Sequence, residues 1–118
     1  MKYEYNGNLK EEERIDLVSN EIINKYPQIS IDKAKDAAML EGKISSDKDF
    51  EMEFNRLYNI MLVESDNKDL LEPVYNDLIN LLKENSNNEK IEYYCNIAIE
   101  ITNFLNDKRD FPYMIEFV

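Results

Sequence analysis

From Ile91 to Leu105 the apolar residues Ile91, Tyr94, Ala98, Ile101 and Leu105 follow one another at steps of three, four, three and four. That spacing keeps one face of a 3.6-residue helix apolar over about four turns and is incompatible with a strand, whose side chains alternate between two faces. Ile97 and Phe104 are expected to widen the buried face. Ser86 and Glu89, set in the polar run Glu84-Asn85-Ser86-Asn87-Asn88-Glu89, are expected to cap the helix through a reciprocal box.

The same period recurs upstream. Ile15, Val18, Ile22 and Tyr26 form a stripe that Pro27 must end, with Asn8 and Glu11 proposing its cap. Ser30 caps a short Ala-rich helix with Ile31, Ala34 and Ala38 on one face, ending near Gly42. Residues 47–61, DKDFEMEFNRLYNIM, alternate strictly at first, as a half-buried strand would. The alternation collapses after Phe54, whereas Phe50, Phe54, Leu57 and Met61 share a narrow helical stripe. A helix capped near Ser46 is therefore expected, with Met52 partly exposed on a polar side beside Asp49, Glu53 and Arg56. Beyond the break at Glu64-Ser65-Asp66-Asn67-Lys68, residues Leu70, Leu71, Val74, Leu78, Leu81 and Leu82 give a further helix. Pro73 is expected to mark its regular start, near Glu72 or Pro73.

Two Gly and three Pro in 118 residues leave too little punctuation for a many-turned β fold. The length suits one core. The expectation is a single-domain all-α bundle of about five helices spanning residues 1–118, with short β or extended segments at the termini, where Tyr3 and Tyr5 alternate and FPYMIEFV closes the chain.

Most chemistries lack their residues. Histidine is absent, which removes Ser/His/Asp and Cys/His nucleophilic arrangements and His-containing zinc sites. Cys95 is alone and reads as a small core or boundary residue. With Gly7 and Gly42 as the only glycines, no Gly-rich phosphate loop can form. Asp47, Asp49, Glu51 and Glu53 alternate like the start of a calcium loop, but the sixth-position Gly and terminal Glu are missing. The expectation is a protein with no catalytic residue, metal or cofactor. The longest apolar run, Ile60 to Val63, is far short of a bilayer span, so a cytoplasmic location is expected.

Binding remains. The net charge is −11, with 9 basic against 13 acidic residues in 1–60 and 5 against 12 in 61–118. Such a field repels nucleic acids and anionic membranes and attracts basic proteins. Two acidic groups stand out as partner-binding candidates: Asp47, Asp49, Glu51 and Glu53 at one helix start, and Glu64, Asp66, Asp69 and Glu72 around the entrance to the next. They are expected to be separate patches roughly 25 Å apart, at 1.5 Å per helical residue. Tyr58, Tyr75 and Tyr93 lie nearer stripe edges, where rings can cover Arg or Lys, while Tyr26 and Tyr94 belong to the core stripes.

In general character (small, acidic, rich in Asn, Lys and Ile, without catalytic residues) the chain resembles bacterial immunity proteins, including those of contact-dependent growth inhibition systems. That resemblance implies a tight inhibitory complex with a basic nuclease toxin and carries over no particular residue. Locally, Ala37-Ala-Met-Leu-Glu41-Gly42 resembles the inhibitory helix of antitoxins that block Fic-domain AMP-transferases, with Ala37 where Ser or Thr belongs. This second resemblance implies that Glu41 engages an Arg in the toxin's nucleotide site. A nucleic-acid mimic blocking a host or phage nucleic-acid-binding protein is the alternative, distinguished by carboxylates laid along one face at phosphate-like intervals. The chain is expected to be a monomer or weak homodimer, in the latter case through Met52 and the apolar tail.

Overall fold

The structure, a computed structural model, describes residues 11–41 and 49–109. They form five helices, α1 Glu11–Lys25, α2 Ile31–Glu41, α3 Asp49–Val63, α4 Lys68–Glu84 and α5 Ile91–Arg109, with no strand among them. The all-α expectation holds. The terminal segments and the caps proposed at Asn8 and Ser46 lie outside the described residues.

Each helix packs on its predecessor, α1 on α2, α2 on α3, α3 on α4 and α4 on α5, and α5 also meets α3. One apolar cluster draws on all five, with Val18, Ile22, Ala34, Ala38, Phe54, Met61, Leu71, Leu78, Ala98 and Leu105 almost wholly buried. The connections are short and satisfy their own backbone. Tyr26 N–H closes onto the Ile22 carbonyl at the end of α1, and the Ser30 hydroxyl accepts from the Lys33 N–H at the start of α2, as its type predicts. Tyr26 is buried and its hydroxyl donates to the Asp77 carboxylate, which ties the α1–α2 turn to α4.

Several expectations are corrected. Helix α4 begins at Lys68, well before Pro73, because the Asn67 side chain accepts from the Leu70 N–H and supplies the cap. Pro73 then falls inside the helix, where its missing N–H removes one bond just past the first turn. Helix α5 starts at Ile91, too late for a Ser86/Glu89 box; Asn88 Oδ1 accepts from the Lys90 N–H instead, at 2.8 Å. Ile31 is 62% exposed and Phe104 46%, so neither belongs to the buried face assigned to it.

The largest correction concerns α3. Met52 is 2% exposed, and of the described residues 50–63 only Leu62 is open to solvent. Helix α3 lies against α2, α4 and α5 and so is covered nearly all round, leaving no free polar side. Arg56, the one basic residue of α3, is 5% exposed.

Candidate functional site

A buried arginine needs anions, and Arg56 finds two. Its Nε and Nη2 reach Glu41 Oε1 and Oε2 at 2.8 and 3.1 Å, a two-pronged pair in which Glu41 is 2% exposed. Its Nη1 reaches Glu21 Oε2 at 2.7 Å. One guanidinium thus clamps the end of α2 and the middle of α1 to α3, its planar fork matching the carboxylate of Glu41. Arg14, also buried, donates from Nη1 to the Ala38 carbonyl in the last turn of α2 and from Nη2 to Glu11. Both arginines therefore place positive charge at the negative end of the α2 dipole.

This arrangement bears directly on the Fic-like segment. Glu41 is enclosed and both its oxygens are engaged by Arg56 of the same chain, so its carboxylate is not presented to another protein.

The two proposed acidic groups fare differently. Asp47 and the side chain of Asp49 lie outside the described residues. Glu51 is half-buried and turned inward, accepting from the Tyr94 hydroxyl at 2.7 Å and from Lys90 Nζ at 3.3 Å. Glu53 is half-buried in a narrow cleft between α1 and α3, beside Glu21, Lys25, Tyr26 and Arg56. Tyr58 is half-buried against the core. Glu51 and Glu53 are therefore not presented on an open face, for the reason that Met52 is covered: the helix is central.

At the α3–α4 corner the outcome is mixed. Asp66, Asp69 and Glu72 are exposed, as a surface for a partner requires. Glu64 is 6% exposed and accepts from the Asn67 amide at 2.9 Å, and Tyr75 is 7% exposed within the core. Neither is a surface contact. Asn67 thus serves twice, bonding Glu64 with its amide nitrogen and capping α4 with its amide oxygen. Glu64, Asp66 and Asp69 border an open depression that Lys33, Val63, Asn67 and Lys68 complete. Elsewhere exposed carboxylates occur on α1, α2, α4 and α5 but not among the described side chains of α3, with Glu11, Glu12, Glu13 and Asp16 consecutive or nearly so at the start of α1.

Phe50, Phe54 and Tyr94 form an aromatic cluster where α5 crosses the start of α3, with Tyr94 edge-on to Phe50 and Phe54 at 5.1 and 4.8 Å. Burial, then the hydrogen bond to Glu51 and that carboxylate's charge, and last Tyr93, hold the Tyr94 phenol well above its usual range. The neutral phenol is favoured in the folded chain. Its contribution to stability is complete below the unfolded value near pH 10 and is lost as pH rises beyond it. In urea titrations above about pH 10, Tyr94→Phe is therefore expected to flatten the decline in stability. An identical slope in both chains would contradict it.

Cys95 is half-buried, and burial followed by the charge of Glu92 pushes its thiol up, so the nucleophilic thiolate is disfavoured. Among the described residues no three acidic or Cys side chains converge as metal ligands, and no helix is long and apolar enough to cross a membrane. The missed feature, the Glu21–Arg56–Glu41 clamp, had one faint signal: a single Arg in a helix apolar on most of its sides.

The described residues define an all-α fold of five helices with a depression at one corner lined by three carboxylates and two lysines. The chain matches no family model, no curated protein and no solved structure.

Proposed function

We propose that the chain is a non-enzymatic binding protein for a basic protein, and specifically an immunity protein that neutralises a nuclease toxin. The observation that carries this reading is the surplus of eleven negative charges together with exposed Asp66 and Asp69 on the concave α3–α4 corner, which Lys33 and Lys68 also line, and exposed Glu72 beyond it on α4. Carboxylates on a concave rim are suited to a protruding Lys or Arg: they speed encounter and select the partner by charge. The missing histidines, and a Cys95 thiol pushed up by burial and by Glu92, agree with a molecule that acts by occupancy.

The test is capture from a lysate of the source organism, followed by reconstitution with the captured protein. Asp66→Asn/Asp69→Asn/Glu72→Gln is expected to slow association by about tenfold or more at low salt, with a smaller effect at high salt. Recovery of nucleic acid or small metabolites alone, or an association rate indifferent to the triple substitution, would remove the basis of the reading.

A further inference from the structure

The outer flank of α5 carries a second row of apolar side chains. Tyr93, Ile97 and Phe104 lie at i, i+4 and i+11, within about 40° of each other around the helix. Tyr93 is 62% exposed, Phe104 is 46% exposed and Ile97 is half-buried. The residues that meet the core, Tyr94, Ala98, Ile101 and Leu105, occupy a different side, centred roughly 100° away. Tyr93 is held in place from beneath, its ring edge-on to Tyr94 at 5.2 Å, so an exposed aromatic stands on a buried one.

The charge standing within this row is a carboxylate. Exposed Glu100 lies between Ile97 and Phe104, exposed Glu92 lies about 100° around the helix from Tyr93, and the base just before the helix, Lys90, is paired with Glu51 of α3. A second copy of the chain would bring these carboxylates against their own equivalents, on molecules that each carry −11. A helix with one apolar face edged by Lys or Arg meets both features at once: its apolar residues at three- and four-residue spacing match Tyr93, Ile97 and Phe104, and its bases match Glu100 within the row and, further round the solvent side, Glu92.

We propose that this flank of α5 is a docking surface for a basic amphipathic helix. It rests on the reading of the chain as a binder of basic protein, and places a second contact away from the α3–α4 corner.

The test uses the full chain and three labelled peptides of about five helical turns: one of Leu and Lys with a single apolar face, its Leu and Glu counterpart, and a Lys homopolymer. Fluorescence anisotropy is expected to show binding of the Leu/Lys helix, none of the Leu/Glu helix, and binding of the homopolymer about tenfold weaker or less. Tyr93→Ser/Phe104→Ser is expected to weaken the Leu/Lys complex by about tenfold or more, while Asp66→Asn/Asp69→Asn leaves it within about twofold. Both pairs lie at exposed positions, and circular dichroism checks that each variant is folded.

Equal binding of the homopolymer, or no loss on changing Tyr93 and Phe104, would overturn the proposal. So would a dimer in sedimentation that the same double substitution dissolves, which would assign the row to self-association. Capture of a basic partner that responds to the corner substitutions while α5 is indifferent would sink this surface alone. Absence of any basic partner, with no peptide bound, would sink the broader reading as well.

Discussion

Arg56→Met is expected to lower the free energy of unfolding by about 3–5 kcal/mol, because Glu41 is left enclosed at 2% exposure without the guanidinium that neutralises it. Glu21, with about a quarter of its side chain open to water, can rehydrate and adds little to that loss. The companion variant Arg56→Met/Glu41→Leu removes the stranded charge and is expected to recover most of the deficit, since buried pairs are often no more stabilising than apolar side chains of similar volume. Urea unfolding of both variants measures the difference. A single variant within about 1 kcal/mol of the parent chain would mean the clamp is wet and behaves like a surface pair.

Phe54→Ala is expected to be as damaging, at about 3–5 kcal/mol, by a different route. The ring is 1% exposed, tilted against Phe50 at 6.5 Å and edge-on to Tyr94 at 4.8 Å, where α3 supports α5. Its removal opens a hollow at the contact that holds α5 to α3, and the aromatic geometry lost with it adds to the area term. Leu62→Ala, on the single exposed position of the described part of α3, serves as the control and should stay within about 0.5 kcal/mol. Comparable losses at both positions would show that the core is not centred on this cluster.

The number and type of helices were legible because each stripe is strongly periodic and the chain has few breakers. What lay beyond the pattern was which helix would be central. Periodicity identifies the side of a helix that must be buried, but a helix with neighbours on several sides buries its polar positions too, provided they find partners. That is why Met52 and Arg56 were assigned to solvent and are enclosed, and why Glu51 faces Tyr94 and Lys90.

Capping errors have a related origin. Asn67 caps α4 several residues before the start that Pro73 suggests, and ahead of α5 Asn88 closes a turn onto the Lys90 N–H, so an Asn outside the apolar stripe sets the local geometry at both places. At the corner, Asp66, Asp69 and Glu72 are on the surface while Glu64 and Tyr75 are not, because one turn of helix is enough to rotate a side chain from solvent into the core. The buried ion clamp was illegible for a stronger reason. Glu21, Glu41 and Arg56 come from three helices, and nothing in a single sequence reveals that their side chains converge.

The clamp also sets an order on assembly. All its members lie within the first 56 residues, so nothing contributed by α4 or α5 is needed to bring them together. During synthesis, which delivers the amino-terminal half first, the clamp can bring α1, α2 and α3 into register before α4 and α5 are made. The cleft beside Arg56 is itself lined by residues 21–26 and 53–60, so the surroundings of the clamp come from the same half of the chain as its charges.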